Sequence, residues 1–293
     1  MEAWVVAAED GSAWGHIAKV YEMNRRMQAS LLRLYRLACL TGFPSTGAGR
    51  AFSEFCYDKY KAWMEAGDVD YLASLVASGA TIIDVGANIG FFTMRFAGWV
   101  SGGGRVLAIE PETTNFQRLR HMVHRRGLRS IVEPIQGAAN DENGKVRLHV
   151  DPFHPGGHRM DDAGVLVDAY TLDHLLVQRP HAVVSLVKID VQGAEERVLK
   201  GMRDTLWRHH PALFIEIDPP ALATMGSSVD RIVHFLAEFG YRVHRLAKGT
   251  RSPALSRDQM DDYLRKGYAD FLFLALIESG ARRCRNSKAR FTG

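Results

Sequence analysis

Cysteine is scarce in this chain of 293 residues: Cys39, Cys56 and Cys284 are odd in number and far apart, and no CxxC pair occurs. A zinc knuckle or a disulfide framework is therefore not expected, and a reducing compartment is favoured. Long hydrophobic runs are also missing, because the longest, at 271–277, is far shorter than the roughly 18 residues of a membrane helix. The first residues lack the basic and then apolar pattern of a signal peptide, so we expect a cytoplasmic protein.

Charge of one sign is in small excess, since 37 Lys and Arg against 33 Asp and Glu leave a net charge of +4. Much of that excess lies in the basic tail 281–293, which we interpret as a solvated terminus, with a polyanion-binding tail as the alternative. The sequence therefore predicts three parts: an N-terminal helical extension at 1–67, an α/β domain at 68–280 and the tail.

Apolar periodicity changes along the chain, from helical spacing in 15–40 and 53–65 to short β-branched runs after residue 80. Strand and helix then alternate at least five times, which predicts a doubly wound, mostly parallel sheet that binds ligands at the carboxyl ends of its strands. The predicted strands are 81–85, 106–109, 131–135, 145–150, 183–190, 212–217, 241–246 and 271–277. The predicted helices are 68–77, 90–100, 114–126, 171–177, 195–208 and 229–239.

The first two strand ends carry a pattern typical of nucleoside-cofactor sites. The first ends in DVGANIG, at 84–90, whose two glycines let the backbone turn tightly toward a ligand at a helix N-terminus. The second ends in Glu110, an acid suited to the hydroxyls of a ribose. Neither GxGxxG nor GxxxxGK[ST] occurs there, which disfavours a nicotinamide-dependent oxidoreductase and a P-loop enzyme. The spacing DxGxxxG is instead the motif of class I S-adenosylmethionine methyltransferases.

Four segments together, DVGANIGFFT, AIEP, LVKIDVQGAEERVLKG and PALFIEI, resemble the FkbM family of methyltransferases, as does YTLDHLL at 170–176. The similarity covers about residues 68–246. It implies a Rossmann-like class I methyltransferase fold with a seven-stranded, mostly parallel sheet and S-adenosyl-L-methionine as cofactor. It also implies O-methyl transfer to a hydroxyl of a sugar, glycan or natural product. Separately, the short apolar runs predict no membrane span, and a nucleic-acid partner is not expected.

The same resemblance assigns roles to residues at the strand ends. Asp190 is expected beside the transferable methyl group. The residues expected to bind the cofactor belong to the first three strand ends: Asp84, Gly86, Ala87, Asn88, Gly90 and Thr93 around the methionine part, Glu110 and Pro111 at the ribose, and Gly137 and Ala138 at the adenine.

Asp190 and Glu216 end neighbouring strands of the predicted sheet, so both carboxylates are expected to face one cleft. A hydroxyl is a poor nucleophile near neutral pH, so one acid is expected to act as general base, or both to bind a divalent cation such as magnesium with Asp218. The alternative for Asp190 is that it caps the helix starting near Ala194. Lys188 is expected to form a salt bridge.

Four further hypotheses stay open. Glu195 is expected to be structural, in the first turn of its helix. His154 and His158, in a long loop, are candidate bases, although loop histidines are usually only solvated. An RNA or protein methyltransferase of the same fold has the basic tail as its only support. A noncatalytic subunit that binds a partner through residues 15–65 is the remaining alternative. For the amphipathic N-terminal helices, three roles stay open: covering the cleft, forming a dimer interface or packing on the sheet.

Overall fold

The computed structural model describes residues 69–150, 158–160, 164–180, 182–247, 249–265 and 267–276. The predicted helices in 15–40 and 53–65, the extension 1–67 that contains them, the tail 281–293 and His154 lie outside the described residues. Within the described part, no helix is long and apolar enough to cross a membrane.

Strands and helices alternate along the described chain, after a 3-10 helix at Asp70–Leu75. The strands are β1 (Thr81–Val85), β2 (Arg105–Glu110), β3 (Val132–Gln136), β4 (Ala138–Ala139), β5 (Gly144–His149), β6 (Arg159–Met160), β7 (Val165–Tyr170), β8 (Val184–Ile189), β9 (Ala212–Ile217), β10 (Tyr241–His244), β11 (Leu246–Ala247), β12 (Thr250–Arg251) and β13 (Ala269–Ala275). The helices are α1 (Phe91–Trp99), α2 (Thr113–Arg125), α3 (Leu172–Val177), α4 (Glu195–Lys200), α5 (Arg203–His209), α6 (Pro219–Thr224), α7 (Val229–Glu238) and α8 (Arg257–Leu264).

Seven strands form the main sheet in the order β10-β13-β9-β8-β1-β2-β3. The pairs β1–β2, β1–β8, β2–β3 and β8–β9 are parallel, and β13 runs antiparallel to both of its neighbours. The predicted doubly wound, mostly parallel seven-stranded sheet is thus confirmed. Because the chain moves outward from β1 to β3 and then returns to β8 on the other side of β1, the strand order reverses between β1 and β8. Such a switch point is where doubly wound sheets bind their ligands.

The central strands are buried on both faces, as their continuous β-branched runs predict. All five residues of β1 are buried. Its side chains alternate between two apolar cores, with Ile83 and Val85 in the larger core and Ile82 in the other. The same alternation occurs in β8, where Val187 and Ile189 join the first core and Leu186 the second. A register fixed by two cores holds the ends of β1 and β8 in place.

One predicted helix, 195–208, is wrong, because it is two helices, α4 and α5, that part at Gly201. The Gly201 carbonyl accepts a hydrogen bond from the Asp173 N–H at 3.1 Å. The Asp173 carboxylate accepts the N–H groups of Asp204 and Thr205, both at 2.9 Å, and so caps α5 from another helix. A Cβ on Gly201 would lie 2.0 Å from the carbonyl oxygen of Asn140, so only glycine fits there.

A second, small sheet of order β4-β7-β5-β6 packs beside the third strand end. Only β5 of this sheet matches a predicted strand, and α6 and α8 were not predicted either. The final strand runs two residues earlier than predicted, at Ala269–Ala275.

Candidate active site

The loop after β1 lies against the end of β8, at the switch point. Gly86 has a φ of +75°, and a Cβ there would lie 1.9 Å from the carbonyl oxygen of Asp190. Only glycine allows this approach of the two strand ends. The N–H groups of Gly86 and Ala87 both donate to the Ile109 carbonyl of β2, at 3.1 and 3.0 Å. The loop is therefore fixed across three strand ends.

Asp84 lies inside the protein, beneath this loop. Its side chain is fully buried, and it accepts a hydrogen bond of 2.6 Å from the Thr93 hydroxyl of α1. The Lys188 ammonium lies 3.9 Å from the other Asp84 oxygen. Burial raises the pKa of Asp84, and the Lys188 charge and the Thr93 hydrogen bond oppose that rise. The structure therefore has Asp84 and Thr93 fastening β1 to α1 and β8, with no exposed surface on either side chain.

Glu110 ends β2 and is buried, with 4% of its surface exposed. Its two carboxylate oxygens accept the N–H groups of Asn88, at 2.8 Å, and Glu112, at 3.0 Å. Asn88 has a φ of +51°, and the turn it makes leads to Gly90, which precedes α1. Burial raises the pKa of Glu110 to about 7, although the two N–H groups pull that pKa down. A carboxyl that changes charge near neutral pH thus borders the loop.

The third strand end lies next to Glu110. The N–H of Gly137 donates to the Glu110 carbonyl at 3.2 Å, and Ala138 then begins β4, where it pairs with Ala169 of β7. Pro111 follows Glu110 and is half-buried. Hydrogen bonds therefore link the ends of β1, β2 and β3, so the residues predicted there lie close together in space.

Lys188 lies in β8 and connects the end of β1 to the end of β8 from the buried side of the sheet. Its buried ammonium donates to Asp190 Oδ2 at 3.2 Å and to the Gly86 carbonyl at 3.4 Å, and lies 5.0 Å from the centre of the Phe92 ring. The predicted salt bridge of Lys188 is confirmed. The same contacts set the position of Asp190 relative to the β1 loop.

Gln192 brings the two predicted acids together. The residue has a φ of +53°, and its Nε2 donates to Asp190 Oδ1 at 3.1 Å and to Glu216 Oε1 at 2.9 Å. The Asp190 and Glu216 carboxylates, at the ends of the neighbouring strands β8 and β9, are therefore bridged by one amide. Sequence reasoning did not assign Gln192 a role. The sequence does contain one hint of this role, because the amide of Gln192 comes two residues after the strand-end acid Asp190.

Glu195 holds the turn that carries Gln192. Its Oε1 accepts the N–H groups of Val191, at 3.3 Å, and Gly193, at 3.1 Å, so the predicted structural role is confirmed. Burial raises the pKa of Glu195 to about 7. The alternative that Asp190 caps α4 is wrong, because Ala194 precedes α4 without a side-chain cap and Asp190 bonds to Lys188 and Gln192 instead.

The three-carboxylate arrangement considered for magnesium is not formed. Asp218 caps α6, accepting the Ala221 N–H at 3.4 Å. Across the described ranges, no group of three or more His, Cys, Asp or Glu side chains is placed to hold a metal ion. Of the two histidines considered as bases, His158 lies directly before β6 of the small sheet.

The chain resembles known methyltransferases in sequence. Residues 84–243 match the model of the methyltransferase FkbM domain, which is more than half of the chain. The chain is 29% identical over 190 residues to the 31-O-demethyl-FK506 methyltransferase FkbM of Streptomyces tacrolimicus, covering 53% of this chain and 67% of that protein. It is 30% identical over 125 residues to the hexuronic acid methyltransferase AglP of Haloferax volcanii, covering 42% of this chain and 50% of that protein.

Among solved structures, the methyltransferase FkbM of Methylobacillus flagellatus aligns with a TM-score of 0.46 and 20% identity, over 68% of this chain and 44% of that one. The chain thus spans only part of each of these relatives. The matched domain begins at Asp84, contains Glu110, Asp190 and Glu216, and ends within β10. This chain belongs to the FkbM family of methyltransferases.

Proposed function

We propose that the chain transfers a methyl group from S-adenosyl-L-methionine to a hydroxyl of a sugar, glycan or natural product. The observation that carries this proposal is the pair Asp190 and Glu216, held by one Gln192 amide at the switch point, next to the loop that ends β1. The names of two relatives, one a 31-O-demethyl-FK506 methyltransferase and one a hexuronic acid methyltransferase, support an oxygen acceptor.

The residues present fit S-adenosyl-L-methionine. Glu110 uses one hydrogen bond on each carboxylate oxygen, and each oxygen has lone pairs left for a ribose hydroxyl. The backbone of residues 86–90, which hydrogen bonds to β2 hold in place, would contact the methionine part of the cofactor. Gly137 and Ala138 would border the adenine. When bound, the cofactor supplies an electrophilic methyl group on a positively charged sulfur.

Asp190 is the proposed general base. It would accept the proton of the acceptor hydroxyl, and the oxygen freed of that proton would be the better nucleophile toward the methyl group that the cofactor would supply. Lys188 and Gln192 each hold one of its oxygens, so the carboxylate has a fixed orientation at the cleft. Glu216, one strand further from the β1 loop, is proposed to bind and orient the acceptor hydroxyl.

Calorimetry with S-adenosylhomocysteine, followed by methyl-transfer assays, tests this proposal. Wild type should bind, and Glu110→Ala should bind about tenfold or more weakly, since a charged hydrogen bond to the ribose is lost. Asp190→Asn should bind like wild type and lose turnover by about a hundredfold or more, the usual contribution of a general base. The acceptors to test are 31-O-demethyl-FK506 and a hexuronic acid, the compounds in the names of the two relatives.

Two results would contradict the proposal. Wild-type protein that is folded, carries no cofactor from purification and does not bind S-adenosylhomocysteine would favour a noncatalytic role. Full turnover in Asp190→Asn would remove the base assignment while leaving methyl transfer itself in place.

A further inference from the structure

A concave site lies at the opposite end of the sheet from the loop after β1. It is a cavity of about 440 Å³ between the C-terminal half of α2 and the first residues of β2 and β3. Arg105, Arg120 and Arg129 line it, and we call it the arginine pocket. Arg105 begins β2 and Glu110 ends it, so the two sites are about 17 Å apart along that strand, at 3.3 to 3.4 Å per residue.

The described residues around the arginine pocket do not neutralise its charge. Within the described part of the chain, none of its three guanidinium groups pairs with a carboxylate. Glu133 is the acid in the lining, and its carboxylate is taken up by Arg179 through both oxygens. Residues 113–132, which supply most of the lining, contain five arginines and no acid, so the field there is strongly positive.

We propose that the arginine pocket binds a small multivalent oxyanion of the pyrophosphate class, separate from the cofactor site. Planar guanidinium groups match the paired oxygens of phosphoryl groups, and three of them converge on one cavity of the size of small-ligand sites. The floor is aliphatic, formed by Val123, Val132 and Pro134, with no aromatic side chain on which a base would stack. These features favour a small phosphorylated ligand over a nucleic acid.

Titration of inorganic pyrophosphate into the full chain tests the proposal. Arg120→Gln/Arg129→Gln removes two pocket arginines, and Arg125→Gln/Arg126→Gln removes the same charge from neighbouring exposed positions outside the lining. Wild type should bind saturably. The pocket variant should bind about tenfold or more weakly, since charged hydrogen bonds are lost, while the control should change less than about threefold.

Two outcomes would overturn the proposal. One is no saturable pyrophosphate binding by wild type. The other is equal weakening by both variants, together with tighter binding of a single-stranded RNA 20-mer than of pyrophosphate, which would identify a general phosphate-binding face. Because all four substituted side chains are exposed, both variants should keep the wild-type melting temperature, which is checked by thermal unfolding.

Discussion

Gln192 is the residue on which the geometry of the two cleft acids depends. Replacing it by methionine keeps the length of the side chain but removes both hydrogen bonds, to Asp190 and to Glu216. We expect Gln192→Met to lower kcat about tenfold or more, because misplacement of catalytic groups is costly, while the dissociation constant for S-adenosylhomocysteine stays within about threefold. Methyl-transfer kinetics and calorimetry measure the two quantities.

The matched control is Gln117→Met, an exposed glutamine on α2, which should change neither quantity. A Gln192→Met enzyme with wild-type kcat would mean that the two acids hold their positions without the amide. Weakened S-adenosylhomocysteine binding would instead place Gln192 at the cofactor.

The residues of this site differ in how far the sequence predicts them. Asp190 and Glu216 follow buried strands, and the order of parallel strands is enough to place them together. The bridge through Gln192 depends on a φ of +53° and on the turn held by Glu195, neither of which a linear pattern contains. Lys188 lies in a strand, and the side of the sheet that it takes depends on contacts with Asp84, Asp190 and Phe92, all of them distant in sequence or beyond the strand end.

At the scale of elements, Glu196 connects α4 to α7. Its carboxylate accepts two bonds from Arg231, at 2.9 and 2.8 Å, one from Ser227 at 2.6 Å, and pairs with Lys200 at 2.9 Å. These partners lower the pKa of Glu196 to about 2, with the Arg231 hydrogen bond as the largest cause. This stabilisation is present above pH 4.5, the ordinary pKa, and is lost as the pH falls toward 2.

We expect Glu196→Gln to destabilise the fold at pH 7 by about 1–2 kcal/mol, a modest value because Arg231 is half exposed and water screens the pair. Denaturant unfolding measures the change. Asp204→Asn is the control, since its pair with Arg208 at 3.5 Å is more than 70% exposed on both sides and should matter by less than about 0.5 kcal/mol. Equal effects of the two substitutions would show that the network does not join the helices.

The sequence predicts well the elements that form because of their own residues rather than because of contacts with distant parts of the chain. Strands β1, β8 and β9 lie within one residue of the predicted bounds, because a continuous apolar run buried on both faces has few other solutions. The prediction of one helix at 195–208 is wrong because of two contacts with residues distant in sequence. Asp173 caps α5, and the Asn140 carbonyl lies against Gly201. Contacts between residues so far apart in sequence leave no trace in helical periodicity.

At the scale of the whole molecule, buried acids with raised pKa values contribute to the pH dependence of stability, and for Glu110 and Glu195 the raised pKa lies near neutral pH. Burial raises the pKa values of Glu110 and Glu195 from 4.5 to about 7. The folded protein therefore keeps protons that the unfolded chain releases between pH 4.5 and 7, so the stability that these groups contribute is complete below pH 4.5 and is lost as the pH rises to 7. The loss is on the order of 3 kcal/mol for each group.

Other groups titrate in nearby windows, so the sharp test is a difference between variants. Burial lowers the pKa of His244 below 6.5, which works in the opposite direction in part of the same range, and Glu196 acts only below pH 4.5. Both contributions cancel when a variant is compared with wild type at each pH.

Glu195→Gln is the variant to compare, because glutamine has the shape of a protonated glutamate and its oxygen still accepts the N–H groups of Val191 and Gly193. Relative to wild type, it should gain stability steadily from pH 5 to pH 7 and no further above pH 8, as denaturant unfolding at each pH would measure. Glu238→Gln, at an exposed position, should follow the wild-type curve throughout. A constant difference between Glu195→Gln and wild type would mean that Glu195 keeps its ordinary titration in the folded protein, and that the turn carrying Gln192 is open to water.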